Sequence, residues 1–309
     1  MLRYSMLEEC RKAMESLKTL RRRIRSIEST RKITRAMEMV SAAKLRKTEH
    51  AWYHAQPYYE QLRHMILRLV FGNMPEGALG VEHPFLKIPQ DGICCLVIIS
   101  SDRGLCGSFN TNLIHRAEDF FKRHKSKDIV LYCIGRRAYS YFHQKDYHIV
   151  GSVLNLAATV DSETVEKIAG DLENFFLHRN IDEIHLLYSR FVTRIHQYPM
   201  IEQILPMTPK TIIEPGTMEG AGDATESIIE PDRASLVDRL LSAYIRAKIR
   251  VRLLEAFASE HSARMITMTN ATRNCIDLIE QLTLKTNKAR QAAITRELLD
   301  IVSGGETFR

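Results

Sequence analysis

The sequence lacks most signatures that would assign it a chemistry. No apolar run approaches the roughly 20 residues a spanning helix needs; the longest, Ile93–Ile99, is a third of that. The start has no long apolar core of the kind a signal peptide carries, and Glu8 and Glu9 argue against an acid-poor transit peptide. Six cysteines (Cys10, Cys94, Cys95, Cys106, Cys133 and Cys275) form no C-x-x-C and no secreted-domain spacing, so a reducing, cytosolic compartment is expected. The twelve histidines contain no H-E-x-x-H and no His/Cys zinc spacing. There is no G-x-G-x-x-G, no phosphate loop ending in Gly-Lys-Ser/Thr, and no carboxylate pair suited to acid–base work. No metal, cofactor or catalytic residue is expected.

Glycine and proline are also missing from residues 232–302. As one helix, that stretch would reach about 105 Å at 1.5 Å per residue. Asp232 after Pro231 is a plausible N-cap, and Gly304–Gly305 a plausible stop. Apolar residues recur at spacings of three and four (Leu236, Leu240, Tyr244, Leu254, Phe257, Met265, Met268, Cys275, Leu278 and Leu282), which marks one face. A helix of that length must pair with another or sit in a sleeve of partner protein. The N-terminal segment offers the second helix. Leu17, Leu20, Ile24 and Ile27 form a heptad seam, and Ile33, Met37 and Val40 are expected to continue it after a phase shift. The small residues Ser41, Ala42 and Ala43 permit close approach. The helix should kink at Pro57 and resume from Tyr58 to Phe71.

The middle alternates strand-like apolar runs with amphipathic stretches. Strands are expected at 93–100, 129–134, 147–153, 184–188 and 198–205, and helices at 110–124, 136–143 and 163–178. That alternation indicates an α/β sheet, mostly parallel. The expected fold is therefore an α/β central domain plus a long antiparallel two-helix coiled coil. Its parts are an N-terminal extension at 1–13, a shaft helix at 14–72, an α/β foot at 73–231 with a loop at 206–231, a second shaft helix at 232–303, and a tail at 304–309.

Charge is segregated. Residues 11–50 carry a balance of +9 and residues 233–302 one of +5, while residues 51–232 carry −6 within a net charge of +7. Basic ends suit an acidic partner, whether nucleic acid, anionic lipid or protein. A nucleic-acid-binding coiled coil is one reading, supported by Arg21-Arg22-Arg23. It is weakened by the absence of a recognition motif and of interleaved aromatics before Trp52 and Tyr53. A nucleotide-binding α/β enzyme is another, resting on the turn Ser101-Asp102-Arg103-Gly104-Leu105-Cys106-Gly107-Ser108 between a strand and a helix. The simpler account of that turn is structural, with Gly104 and Gly107 allowing unusual backbone angles.

Three stretches, in order, resemble one family. Ile24 to Lys44 (IRSIESTRKITRAMEMVSAAK), the turn Ser101 to Asn110 (SDRGLCGSFN), and Leu253 to Gly304 are similar to the N-terminal, central and C-terminal signatures of F-type ATP synthase gamma subunits. The resemblance implies a rotor subunit without catalysis or cofactor, on the cytoplasmic face of a bacterial inner membrane. Its implied partners are the alpha, beta and epsilon subunits and the membrane c-ring. It implies contacts with beta-subunit loops by Arg264, Gln291 and Thr295, and by a basic collar of Lys32, Arg35, Lys44, Arg46 and Lys47. Asp102, Gly104 and Gly107 fall in its structural turn. The loop at 206–231 has no cysteine, so a chloroplast-type thiol switch is absent.

Overall fold

A computed structural model of the chain describes residues 2–71, 83–87, 92–124, 126–156, 160–178, 181–212 and 233–306. Helix α1 is Leu2–Ile66, followed by a π-helical turn at Leu67–Phe71. Then come β1 (Ile93–Ile99), α2 (Phe109–Arg123), β2 (Ile129–Ile134), α3 (Arg136–His143), β3 (Ile149–Val153), α4 (Ser162–His178), β4 (Ile181–Phe191), β5 (Gln197–Leu205), the short α5 (Pro209–Ile212) and α6 (Arg233–Glu306). The chain divides into two compact units, residues 1–40 with 265–309, and residues 41–264.

The larger unit is built on one five-stranded sheet in the order β3-β2-β1-β4-β5. The first four strands are parallel, joined through helices, and β5 returns antiparallel to β4 through a hairpin. The run Ile93–Ile99 is apolar throughout because both its faces are covered. Cys95, Val97 and Ile99 enter a core shared with α4 and with stretches of the two long helices, including Tyr59, Leu62 and Ile66 of α1 and Val237, Leu241 and Ile245 of α6. Cys94, Leu96 and Ile98 enter the opposite core, under α2 and α3. Within this unit α1 and α6 run antiparallel: Lys44 acts on Glu260 and His261, and Tyr59 stacks on Tyr244 with ring centroids 5.5 Å apart.

The smaller unit contains the outer arms of α1 and α6. Leu17, Leu20, Ile24 and Ile27 are half-buried, as the heptad requires. Beyond Ile27 the seam keeps its phase. Arg31 and Thr34 occupy the next positions, Thr34 is buried, and Thr272 Oγ1 of α6 donates to Thr34 Oγ1 at 2.8 Å. The expected phase shift therefore does not occur: Ile33 and Val40 are 58% and 56% exposed, on the outer surface. On α6, Met268, Thr272 and Cys275 are buried, while Leu278, expected in the stripe, is exposed.

Two expected breaks are also absent. Helix α1 passes through Pro57 to Ile66. Proline removes one N–H and crowds the carbonyl four residues earlier; Pro57 and Tyr53 both lie on the exposed face, where water can take up that carbonyl. Helix α6 continues through Gly304 and Gly305 to Glu306, since a helical glycine costs only about 1 kcal/mol relative to alanine. The N-cap proposed at Asp232 and most of the 206–231 loop lie outside the described residues, as do Met1 and residues 307–309.

Candidate functional site: the helix surfaces and the glycine turn

Among the residues expected to meet partners, Lys32, Arg35, Lys44, Arg46 and Lys47 are all exposed on α1. At 100° per residue Lys32 and Arg35 turn away from Thr34, and Arg46 and Lys47 from Leu45, while Lys44 sits on the flank, close enough to act on Glu260 and His261. Within the smaller unit, Ile33, Met39 and Val40 leave apolar surface exposed on the same helix as the exposed Lys32 and Arg35, with Met39 61% exposed. Gln291 and Thr295 are exposed and one helical turn apart on α6; the Thr295 hydroxyl donates to the Gln291 carbonyl at 3.0 Å.

Arg264 is placed differently. It is buried, and its guanidinium is engaged inside the chain. Nη2 reaches Glu260 Oε1 at 2.8 Å and donates to the Arg103 carbonyl at 3.1 Å, while Nε donates to the Gly104 carbonyl at 3.3 Å. Burial raises the Glu260 carboxyl above the ordinary range, and Arg264 opposes that rise. His261, next along α6, is pushed down to about 4 by burial, with Arg264 and Lys44 acting in the same direction.

The turn that Arg264 grips is held from within. Ser101 N–H donates to Asn110 Oδ1 at 3.1 Å, Ser101 Oγ donates to the Arg103 carbonyl at 2.7 Å, and Asn110 Nδ2 donates to Cys106 Sγ at 3.1 Å. Gly107 has φ +60°, the left-handed region that favours glycine. Gly104 faces Arg137, whose Nη2 would lie 2.7 Å from a Cβ at this position. Burial raises the Cys106 thiol, with partial opposition from Ser101 and Arg264, which disfavours the thiolate that a nucleophile needs.

Asp102 decides between the two readings of the turn. Its Oδ1 accepts the backbone N–H of Arg136, at the start of α3, and that of Asn155, both at 3.0 Å. A phosphate at this end of a parallel sheet would be bound by such N–H groups. Here the chain's own carboxylate uses them, and the turn carbonyls point to Arg264. The arrangement ties the carboxyl ends of the central strands to α6, and among the described residues these N–H groups are already taken.

An ionic cluster between β5 and α6 carries no signal in the linear sequence. Arg252 makes paired contacts to Glu202 at 2.7 and 3.1 Å and a third to Glu255 at 3.1 Å. Burial drives both carboxyls upward; Lys248 and Arg252 overcome it at Glu202, whose pKa is lowered, but Arg252 does not at Glu255, whose pKa is raised. Packing of α6 on β5 brings together residues 50 apart in the chain, so no linear motif marks this cluster.

The family described as ATP synthase matches residues 16–308. An ATP synthase gamma chain from Pelotomaculum thermopropionicum is 40% identical over 291 residues, covering 94% of this chain and 98% of that one. One from Geotalea uraniireducens is 39% identical over 298 residues, covering 96% and 100%. Among solved structures, a chain of the Euglena gracilis mitochondrial ATP synthase OSCP/F1/c-ring assembly aligns with a TM-score of 0.64 at 16% identity, over 95% of each chain. A chain of the Tetrahymena thermophila central stalk and c-ring aligns at 0.57 and 20% identity, over 77% of this chain and 99% of that one. The structural matches show the fold, and the near-complete sequence matches show that this chain belongs to the ATP synthase gamma chain family.

Proposed function

We propose that this chain is the central-stalk rotor subunit of a proton-translocating F-type ATP synthase. It couples rotation of the membrane c-ring to ATP synthesis and hydrolysis at the beta subunits and performs no chemistry itself. The observation that carries this reading is identity of 39–40% with gamma chains over 98–100% of their length. The helical arms act as the shaft inside the alpha–beta assembly, and the α/β unit acts as the foot toward epsilon and the c-ring. Among the described residues no helix is long and apolar enough to cross a membrane, so attachment to the cytoplasmic face of the bacterial inner membrane runs through the complex.

Lys32, Arg35, Lys44, Arg46 and Lys47 form a collar facing acidic beta-subunit loops, and Gln291 and Thr295 bond a loop of the same subunit. Exposed ion pairs contribute only about 0–1 kcal/mol each, which suits a rotating contact, since no single pair holds one angle. Arg264, bonded inside the chain, fixes the turn against α6. The test is reconstitution with alpha and beta subunits. ATP hydrolysis is expected from the assembly and not from the purified chain. Robust hydrolysis by the chain alone, abolished by Asp102→Ala, would overturn the proposal.

A further inference from the structure

At the starting ends of β1 and β4, three potential ligands converge although they are far apart in sequence. Cys94 pairs with Glu183 in the β1–β4 register, and Leu96 with His185. Because strand side chains alternate, Cys94, Glu183 and His185 share one face of the sheet, the face under α2. Cys94 Sγ, a Glu183 oxygen and a His185 ring nitrogen all lie within 4.8 Å of one another. Cys94 is fully buried, and the Glu183 and His185 side chains are 14% and 15% exposed. His185 Nε2 stands 3.3 Å from Glu183 Oε2, close to the edge of a tetrahedron whose bonds are about 2.0–2.1 Å.

We propose that Cys94, Glu183 and His185 bind a divalent, thiophilic metal ion of the zinc class. The donor set selects the ion: a thiolate and an imidazole favour Zn2+ over Mg2+ or Ca2+, which take oxygen ligands. His124, which caps the end of α2, offers a fourth ligand. Its ring centroid lies 6.4 Å from that of His185, and its Nδ1 sits 3.0 Å from the Phe120 carbonyl. When Nδ1 carries the proton and donates there, Nε2 is left as the metal-binding nitrogen, the usual support for a ligating histidine. Binding converts the Cys94 thiol to a thiolate and releases its proton to solvent. Lys127 Nζ, 2.9 Å from Glu183 Oε1, neutralises the carboxylate and competes with the ion for it. The bound ion would pin the starting ends of two adjacent parallel strands together.

The test uses the full chain, first stripped with chelator and then titrated with Co2+ and Zn2+. Co2+ is expected to bind one equivalent and to give the near-ultraviolet sulfur-to-cobalt charge-transfer band with tetrahedral visible bands, both erased by Zn2+. Cys94→Ser should abolish the charge-transfer band, and His185→Gln should weaken binding about tenfold or more while keeping every cysteine. Lys127→Ala should tighten binding, because it removes the competitor for Glu183; a purely structural ion pair would not alter metal affinity in that direction. Absence of the band in the unaltered chain, or its persistence in a folded Cys94→Ser variant, overturns the proposal. The unaltered chain decides the matter even where a variant does not fold.

Discussion

Replacing Arg264 by alanine removes four contacts at once, the one with His261 among them. The variant leaves Glu260 without its buried partner, and the carbonyls of Arg103 and Gly104 without their donors. Both side chains of the pair are 10% exposed, so solvent does little to compensate. Removing one member of a buried pair costs about 3–5 kcal/mol, because the remaining charge stays desolvated. That is a large share of the roughly 5–15 kcal/mol that stabilises a typical domain. The Glu260→Gln variant keeps Arg264 bonded to the two turn carbonyls, and the double variant leaves no buried carboxylate, so each should lose less than Arg264→Ala. The deficit of Arg264→Ala should also shrink on acidification. Burial places the folded-state pKa of Glu260 above its unfolded value, so the folded state takes up the proton first and the penalty is relieved as pH falls through the raised pKa. The assay is urea unfolding of the full chain followed by circular dichroism, at several pH values. A loss under about 1 kcal/mol, or a double variant as unstable as Arg264→Ala, would refute the clamp.

Protonation of His261, whose pKa falls from 6.5 to about 4 in the folded chain, favours the unfolded state, so stability should be lost as pH drops through that window; His261→Gln should flatten this part of the stability–pH curve. Ile33→Ala and Val40→Ala, at exposed off-seam positions, should change the stability of the chain by less than about 0.5 kcal/mol yet reduce its assembly with alpha and beta subunits, measured by co-elution; a large loss of stability would restore the shifted seam. Reversing Lys32, Arg35, Lys44, Arg46 and Lys47 to Glu should impair proton-coupled ATP synthesis more at low than at high ionic strength, since screening acts over about 8 Å at physiological salt. Unchanged coupling at low salt would reduce the collar to a solvated surface.

β1 and β2 were readable from sequence because burial on both faces makes them continuous apolar runs, and α3 was readable to the residue because its amphipathic pattern is bounded by Gly135 and the turn after His143; β4 was expected only over 184–188 because polar residues interrupt its ends. The coiled-coil seam was readable only as far as Ile27. Beyond it, apolarity and burial part company: Thr34 and Ser41 are buried, being small and able to bond within the helices, while Ile33 and Val40 face outward. A rule that equates seam with apolar residue fails here, because helix phase and not apolarity decides which side chains are covered. The burial of Arg264 was not legible for a related reason, since spacing along a helix cannot say that a loop 160 residues earlier supplies its acceptors. The cluster at Cys94, Glu183 and His185 is invisible in linear spacing because strand register alone assembles it.

The division of the sheet's cover between the two ends of the chain sets a timetable for synthesis. All five strands have been made by Leu205, but one face still awaits Val237 to Ala256 of α6. At about 5–20 residues per second, those roughly 50 further residues take several seconds to emerge, and throughout that time the β1–β4 surface bearing Cys95, Val97 and Ile99 lacks part of its roof. Long-range closure of this kind slows folding and leaves apolar surface open to aggregation. The nascent chain is thus most vulnerable after its sheet is complete and before its last helix arrives, which makes that interval the point at which a chaperone would have most effect.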